Sequence, residues 1–452
     1  MDLKSHKGHD LHIAGFPSHQ LDSVFSTSII KLHPLDFPGI KPKLLVSEGD
    51  TVINGQPVYF DKNNPEVMFT SFSCGTVSKI VYGDRRSILS IDIQLNDRQN
   101  KATFKQHEPD KIKNLKKEKI QEILCTSGYW PCIRRRPFAK IAIPSILPKS
   151  IFITTESTAP YTPGLKVILD NINIIDVQAG IDALTHLTSA IINMVIPNSE
   201  NYSTVNDLNG IDIHTFSGPH PAGNVGYHIA NIDPIENKET TVWYISLQDI
   251  ASIGKLLLTG TVDNKKIISI GGSPYKSDNR HLIVNRGISI SDILLNDSIG
   301  REYRIISGDL LSGIGVEKNH AIGFYHDTVS IIKNEFNREF IGWLNPGFKK
   351  YSVSNTFLSR LLPKRKKKLS TAMNGGTRTI MPLGLIEKMC ILDILPTMLL
   401  KSIIARDIEM MEKMGIYECD PEDFSLCAFV DVSKMDIMSI IQAGLDYVEL
   451  EG

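Results

Sequence analysis

The segment VSEGDTVINGQPVYFD, residues 46–61, decides the fold of the first part of this 452-residue chain. Short runs of β-forming residues alternate in it with turn signals, of which Glu48-Gly49-Asp50 and Asn54-Gly55 are the clearest. An Asn-Gly pair between such runs is typical of a tight hairpin. A similar run, FTSFSCGTVSKIV, follows at residues 69–81. The chain from Lys41 to Ile80 is therefore predicted to be an all-β module.

The whole chain has the composition of a soluble globular protein, with 42% hydrophobic residues, 22% charged residues and a mean hydropathy of −0.07. Its length predicts about three domains. No apolar run approaches the roughly 20 residues that a membrane-spanning helix needs. The first residues, MDLKSHKGHD, contain no secretory signal. We expect a cytoplasmic chain that does not cross a membrane by itself.

The charges predict no nucleic-acid binding. The formal net charge is −1, so the chain has no overall positive field for a polyanion. The basic run from Lys364 to Lys368 lacks interleaved aromatic residues and indicates a solvated segment or an electrostatic docking site.

The middle of the chain predicts a Rossmann-like parallel α/β domain. An amphipathic helix is expected over residues 110–124. After it, apolar strand-like runs at 151–155, 190–196, 211–216 and 242–246 alternate with helical patterns. Functional loops of such sheets lie beyond the carboxyl ends of the strands. One of these loops, SGPHPAGNVGYH, places His220 between two prolines, where it is a candidate proton donor or ligand or a structural histidine.

The remaining chain predicts two further domains. Strand patterns dominate residues 263–332, which indicates a small β-rich domain of SLBB or β-grasp type, and helical patterns dominate residues 386–452. Asp420-Pro421-Glu422-Asp423 is typical of a helix start. The predicted organisation is an α/β multidomain chain, divided into a β module at 1–105, the α/β domain at 106–262, the β-rich domain at 263–340, and a linker with a helical domain at 341–452.

The stretch SGYWPCIRRRPFAK, residues 127–140, lies between the predicted helix and the first α/β strand. Arg134, Arg135 and Arg136 form a cluster that attracts anions or a partner protein. A basic surface turn with a buried Trp130 is the simpler interpretation. A backbone loop that approaches a flavin phosphate needs glycines, and this stretch offers only Gly128.

The cysteines predict neither a structural zinc site nor an iron–sulfur cluster. All six are scattered, and no pair has the C-x-x-C spacing that such sites commonly use. Reduced, buried thiols are expected, and no metal ligands or catalytic residues are assigned.

Two resemblances can now be stated. The β module resembles the barrel-sandwich fold of biotinyl and lipoyl carrier domains, with Lys62 near the tip where carriers hold the modified lysine. Its context, DKNNPEVM, departs from the carrier motif, which favours a structural use of the fold. Over nearly its whole length the chain resembles the A subunit of the sodium-translocating NADH:quinone reductase, through strings such as HKGHDLHIAGFPS, GYWPCIRRRPFAKI, FSGPHPAG and RIISGDLLSG.

A looser likeness, in domain order, links the chain to the C subunit of the Rnf complex and to the flavin-bearing subunit of respiratory complex I. In those relatives a glycine-rich loop wraps the flavin mononucleotide. Here Trp130 and the three arginines stand at that position, and the relatives' four-cysteine motif is absent. The resemblance thus implies a scaffold that has lost both flavin and cluster.

The family implies a peripheral subunit on the cytoplasmic face of the bacterial inner membrane, in a translocase that oxidises NADH, reduces ubiquinone and exports sodium. It implies that FAD, FMN, riboflavin and iron–sulfur centres belong to the partner subunits, lettered B to F, of which the membrane-embedded B subunit is the chief contact. A quinone head group needs an apolar slot with one or two hydrogen-bond donors. The candidates for quinone binding or partner docking are Trp130, Phe138, Lys140 and His220.

Two alternatives remain at this point. The first is a stand-alone flavin- or NAD-dependent oxidoreductase related to the complex I flavoprotein or the Rnf C subunit, although no G-x-G-x-x-G run is present. The second is a biotin- or lipoate-dependent carrier, which rests on the β module and on Lys62 alone.

Overall fold

The computed structural model describes residues 1–24, 27–96, 100–199, 202–296, 298–335, 344–348, 350–353, 357–361 and 366–452. The strands in these ranges are β1 (Asp2–Lys4), β2 (Leu21–Val24), β3 (Ile29–Leu32), β4 (Pro42–Leu44), β5 (Thr51–Val52), β6 (Pro57–Asp61), β7 (Met68–Thr70), β8 (Gly75–Tyr82), β9 (Ile88–Leu95), β10 (Arg134–Arg136), β11 (Lys140–Ile141), β12 (Ser150–Thr154), β13 (Ile191–Pro197), β14 (Asp212–Ser217), β15 (Val242–Ser246), β16 (Lys265–Gly271), β17 (His281–Asn285), β18 (Tyr303–Ser307), β19 (Ile314–Val316) and β20 (Thr328–Lys333).

The α-helices of the same ranges are α1 (Pro109–Ile112), α2 (Lys117–Ser127), α3 (Leu165–Leu169), α4 (Ile174–Leu187), α5 (Ser203–Asn206), α6 (Val225–Ile232), α7 (Leu247–Thr259), α8 (Ile290–Ile293), α9 (Leu385–Met389), α10 (Pro396–Ala405), α11 (Ile408–Lys413), α12 (Ser425–Val430) and α13 (Ile437–Glu451). The predicted α/β multidomain class is confirmed by these elements and their sheets.

The central sheet has seven strands in the order β1-β14-β13-β12-β15-β10-β11. The strands from β1 to β15 in this order are parallel, and β10 and β11 add an antiparallel edge. The four predicted strands of the α/β domain are confirmed as β12 to β15, each shifted by at most one residue. Their continuous apolar runs suit a parallel sheet, which is buried on both faces.

The two faces of this sheet are covered by different parts of the chain. Ile151, Ile153 and Trp243 share a core with α4 and α7. Phe152 and Tyr244, which point to the opposite face because strand side chains alternate, share a core with the C-terminal helices. The C-terminal helical region is therefore packed directly on the α/β sheet.

The single helix predicted over residues 110–124 is wrong in its extent. The segment forms α1 and α2, separated by a turn in which Asn114 Nδ2 donates to Asp110 O over 3.2 Å. Lys116, the residue before α2, has an extended ψ of 144°. The apolar spacing continues across the break, so periodicity alone did not reveal it.

The β module consists of two small sheets, β3-β9-β8-β5 and β4-β6-β7. Val52, Val58 and Ile91 from these sheets are buried in one shared core, which confirms the barrel-sandwich prediction. The Asn54-Gly55 pair lies in a turn, with Gly55 at a φ of +84° that favours glycine. Lys62 is exposed in the connection between β6 and β7.

A third, six-stranded sheet has the order β19-β18-β20-β16-β17-β2 and contains the predicted β-rich segment. The first two strands of the chain lie outside the β module, because β1 pairs with β14 and β2 pairs with β17. The N-terminal segment therefore joins the α/β sheet and the six-stranded sheet. The division of the chain at residues 105, 262 and 340 stays a prediction.

The basic run is only partly described, since Lys364 and Arg365 lie outside the described residues. Lys366 Nζ lies 5.3 Å from the centre of the Phe16 ring, and Lys367 Nζ donates to Lys350 O over 2.7 Å. Across the described ranges, no helix combines the length and the apolar character that spanning a membrane requires.

Candidate functional site

The stretch from Ser127 to Lys140 is a junction between all the main parts of the fold. It begins where α2 ends at Gly128, whose φ is +81°. A Cβ added at this glycine would lie 2.4 Å from Thr70 Oγ1 of the β module, so only glycine fits the close approach. A 3-10 turn at Trp130–Cys132 and the hairpin of β10 and β11 follow.

Trp130 is a core residue. Its side chain has no exposed surface, its Nε1 donates to Ala142 O over 2.7 Å, and its ring meets that of Trp243 edge-on at 5.6 Å. Both the apolar ring and the polar N–H are thus satisfied within the chain. This geometry supports a structural role for Trp130.

The interpretation of the arginines as a solvated surface turn is wrong for Arg136, which is 1% exposed. Its guanidinium donates to Asp423 Oδ2 over 3.0 Å and to Glu422 Oε1 over 2.9 Å, and its Nε lies 3.5 Å from Asp420 Oδ2. Burial alone lowers the pKa of Arg136, but Asp420 and Asp423 outweigh burial and hold the pKa well above its usual value. The guanidinium therefore stays charged and ties β10 to the C-terminal region.

Two other predicted residues also pair with the C-terminal region. Arg135 Nη2 lies 3.0 Å from Glu449 Oε1 of α13, and Lys140 Nζ contacts Glu449 Oε2. The three arginines do not form one exposed anion-binding patch, because the carboxylates of a segment about 290 residues later neutralise two of them. Only Arg134 has another environment, described below.

Phe138 and His220 lie apart from Trp130. Phe138 is buried among the C-terminal helices, edge-on to Tyr417 at 6.4 Å. His220 is also buried, its Nδ1 is 3.2 Å from Thr158 Oγ1, and no described residue hydrogen-bonds to its buried Nε2. Burial lowers the pKa of His220 to about 4, so the ring is neutral near neutral pH. The four predicted quinone candidates are not brought into one slot.

An aromatic cavity lies beside the junction instead. The β module, the residues that follow α2 and the six-stranded sheet all contribute to its wall. The rings that line it are those of Phe37, Tyr59, Phe69, Phe72 and Phe324. Phe37 meets Phe69 at 4.7 Å and Phe324 at 4.8 Å, and Gly128 and Pro131 supply the wall on the side of the junction.

A few polar groups lie in this mainly apolar wall. His33 Nδ1 lies 3.0 Å from Leu89 O and donates to it, which leaves Nε2 as an acceptor, and this atom is buried without a partner among the described residues. Burial and the neighbouring His320 lower the pKa of His33 to about 4. Burial raises the pKa of Asp36 to about 6, and its Oδ2 accepts from Phe324 N over 2.8 Å.

Lys266 is one hydrogen-bond donor of the cavity wall. It is 8% exposed, and its Nζ donates to Phe324 O over 3.2 Å. Burial and the nearby Arg286 lower the pKa of Lys266 to about 8, so it is largely charged at neutral pH. An apolar slot with a few fixed polar groups suits a flat aromatic ligand that carries hydrogen-bonding oxygens.

The sequence missed this cavity because its walls come from segments far apart in the chain. The FTSFS and AIGFYHD strings were interpreted as parts of strands, and no structure was predicted for HPLDFPG. Of the phenylalanines that line the cavity, Phe69 lies in a strand and Phe37, Phe72 and Phe324 lie in connections, so the strand patterns did not indicate them.

Metal ligands are not grouped in the described part of the chain, where no set of three or more His, Cys, Asp or Glu residues could hold a metal ion. All six cysteines are free and buried, as predicted. Burial raises the pKa of the thiols of Cys125 and Cys132, and such thiols are poor nucleophiles.

We expect Trp130→Phe to lower the free energy of unfolding by about 1–2 kcal/mol, because the variant loses the bond to Ala142 O and part of the contact with Trp243. Urea unfolding followed by circular dichroism measures the change. Tyr82→Phe, at a ring that is 53% exposed, is the control and should change stability by less than about 0.5 kcal/mol. Equal stabilities of the Trp130 variant and the wild type would contradict the structural role.

Comparisons with known protein families give a match for each of the two N-terminal parts of the chain. Residues 3–96 match the family described as NqrA N-terminal barrel-sandwich hybrid domain, and residues 115–262 match the family described as NqrA second alpha/beta domain. Among solved structures, an NAD+-reducing [NiFe]-hydrogenase matches 50% of this chain and 47% of its own chain, at 12% identity and a TM-score of 0.34. A likeness of that size supports no conclusion about function.

Relatives with assigned names match the full length. The A subunit of the Na(+)-translocating NADH-quinone reductase of Histophilus somni strain 2336 is 34% identical over 447 residues, which cover 99% of both chains. The A subunit of Rhodopirellula baltica is 36% identical over 451 residues, with 99% of this chain and 98% of the relative covered. That of Haemophilus influenzae is 35% identical over 448 residues and 99% of both chains. The chain thus belongs to the family of the A subunit of the Na+-translocating NADH-quinone reductase.

Proposed function

We propose that this chain is a cofactor-free peripheral subunit that contributes to ubiquinone binding within the Na+-translocating reductase. The observation that carries the proposal is the aromatic cavity between the β module, the junction and the six-stranded sheet. Its rings can enclose the quinone ring, and Lys266 can donate to a quinone carbonyl. His33 Nε2, an acceptor without a partner, can bind the hydroxyl of a quinol.

Photo-crosslinking of the intact purified complex tests this proposal. An azido-ubiquinone analogue is attached by light, with and without excess ubiquinone-1, and the labelled peptides are mapped by mass spectrometry. We expect competed label in residues 31–37, 128–131 or 322–326. Label on Phe138, Lys140 or His220 would favour the residues predicted from sequence, and label restricted to other subunits would refute a quinone site on this chain.

A pair of variants makes the test sharper. Phe72→Leu keeps an apolar side chain but removes a ring of the cavity, and we expect competed labelling to fall roughly two- to tenfold. Phe60→Leu is the control, because its ring lies in the same module near Lys43 Nζ at 5.6 Å and outside the cavity lining. Equal labelling of both variants would place the ligand elsewhere.

We propose further that the chain attaches to the partner subunits lettered B to F, chiefly to the B subunit, on the cytoplasmic face of the bacterial inner membrane. The support is the name of the relatives, since Na+ translocation requires a membrane-embedded path that partner subunits can supply. FAD, FMN, riboflavin and iron–sulfur centres are proposed to reside in those partners. Co-purification from detergent-solubilised membranes tests the attachment, and a flavin band near roughly 450 nm in the isolated chain would instead support a stand-alone oxidoreductase.

A further inference from the structure

A second cavity, polar in character, lies at the carboxyl ends of β12 and β15. Thr154 and Ser246, the last residues of these strands, line it together with Gln248 in the first turn of α7. Residues of the six-stranded sheet close the other side. The carboxyl ends of parallel strands are the usual location of ligand sites in open α/β sheets.

Arg134 is the one arginine of the junction that forms no ion pair with a carboxylate of the described residues. Its guanidinium lies between two tyrosine rings, 4.5 Å from the centre of Tyr244 and 4.4 Å from that of Tyr325. Tyr325 is fixed in turn, since its hydroxyl donates to Pro131 O over 2.7 Å. The Arg134 side chain makes no hydrogen bond or ion pair to the described residues, so a positioned guanidinium at this cavity keeps its donors available for a ligand.

Tyr244 supplies a second unused polar group. Its side chain is 2% exposed, it lines the cavity, and its hydroxyl oxygen is buried without a hydrogen-bond partner among the described residues. A buried hydroxyl that is left without a partner is costly, so such groups call for a bound partner. The pairing of β10 with β15 places Tyr244 directly opposite Arg134.

The other charged groups around the cavity are engaged with one another. Asp249 forms a buried ion pair with Arg286 and accepts from Ser246 Oγ. Lys266 and Asp327 attract each other, and burial raises the pKa of Asp327 while it lowers that of Lys266. Burial opposes the charge of Arg134, but Tyr244 and the more distant Glu422 and Asp420 raise its pKa above the usual value, so the guanidinium stays charged and can bind an anion.

We propose that this cavity binds a small oxyanion, a carboxylate or a phosphate group, through the Arg134 guanidinium and the Tyr244 hydroxyl. The site is separate from the aromatic cavity, although Lys266 borders both, and it does not depend on quinone binding.

Isothermal titration calorimetry of the full chain tests the site with two probes, sodium phosphate and sodium acetate, each compared with sodium chloride at equal ionic strength. We expect saturable binding of one equivalent of at least one probe, and the stronger probe identifies the ligand group. Arg134→Gln should weaken binding roughly ten- to a hundredfold, and Tyr244→Phe, which keeps the ring, roughly tenfold. Arg301→Gln, at an exposed arginine, is the matched control and should bind as the wild type does.

Two outcomes would overturn the proposal. The first is the absence of saturable heat with either probe, which would mean that the cavity holds only water. The second is binding that neither Arg134→Gln nor Tyr244→Phe changes, which would place the anion elsewhere. Tyr244→Phe decides the case if Arg134→Gln does not fold, because it removes one oxygen atom that makes no hydrogen bond within the described chain.

Discussion

Arg136→Met is expected to lower the free energy of unfolding by about 3–5 kcal/mol, since it removes one member of a buried ionic cluster. Three carboxylates, those of Asp420, Glu422 and Asp423, lie within reach of the guanidinium. Without it they repel one another where β10 meets the C-terminal helices. Urea unfolding gives the change in free energy, and hydrogen exchange should show that α12 and α13 lose protection first.

The pH dependence of this loss of unfolding free energy distinguishes the contribution of the charges from that of side-chain packing. Burial and Asp420 raise the pKa of Glu422 from 4.5 to about 7, so the folded state binds this proton more tightly than the unfolded state does. The group therefore favours folding below its unfolded pKa, and this contribution is lost as the pH rises through about 7. Loss of Arg136 raises these carboxylate pKa values further. The unfolding free energies of the variant and the wild type should therefore differ less at about pH 6 than at about pH 8.

Arg135→Met is the matched control for the same hairpin. Arg135 pairs with Glu449 at the edge of the interface, where its side chain is 11% exposed and that of Glu449 is 24% exposed. The expected loss is about 1 kcal/mol or less, as for partly solvated ion pairs. Equal losses for the Arg135 and Arg136 variants, or a loss that does not change with pH, would contradict the role of the buried cluster.

The sequence predicted local structure well where the signal is local. The parallel strands were identified because their apolar runs are continuous, and the β module because its turn residues fix the hairpins. Asp420-Pro421-Glu422-Asp423 was interpreted as a helix start, and Asp420 does accept from Glu422 N over 3.0 Å at the 3-10 turn of Pro421–Phe424.

The sequence could not predict which distant groups meet. The same acidic residues that start the turn also bind Arg136, which lies 287 positions before Asp423. A run of charged residues usually marks a solvated face. Arg136 and these acidic residues are buried together only because the C-terminal helices pack on the sheet. The aromatic cavity has the same origin, since Phe37, Phe72 and Phe324 meet only after three sheets have assembled.

Hydrophobic periodicity also does not reveal how closely the backbones of α4 and α7 approach each other. A Cβ at Gly254 of α7 would lie 1.8 Å from Asp176 O, and a Cβ at Gly180 of α4 would lie 2.2 Å from Ile250 O. Both obstacles are backbone atoms, so the helices must move apart. Alanine favours a helix over glycine by about 1 kcal/mol, but overpacking against backbone costs about 1–3 kcal/mol or more.

We therefore expect Gly254→Ala to lower the free energy of unfolding by about 2–3 kcal/mol, measured by urea unfolding, despite its better helix propensity. Gly444→Ala in α13 is the matched control: the atoms nearest to its Cβ belong to the Ile403 side chain, at 2.8 Å, and not to backbone, so a small shift of that side chain can relieve the contact and the change should stay within about 1 kcal/mol. Because one displacement of α7 from α4 relieves both clashes, the double variant Gly180→Ala with Gly254→Ala should lose less than the sum of the single losses. Additive losses, or a Gly254 variant as stable as the wild type, would show that the two helix backbones do not meet as closely as these glycines require.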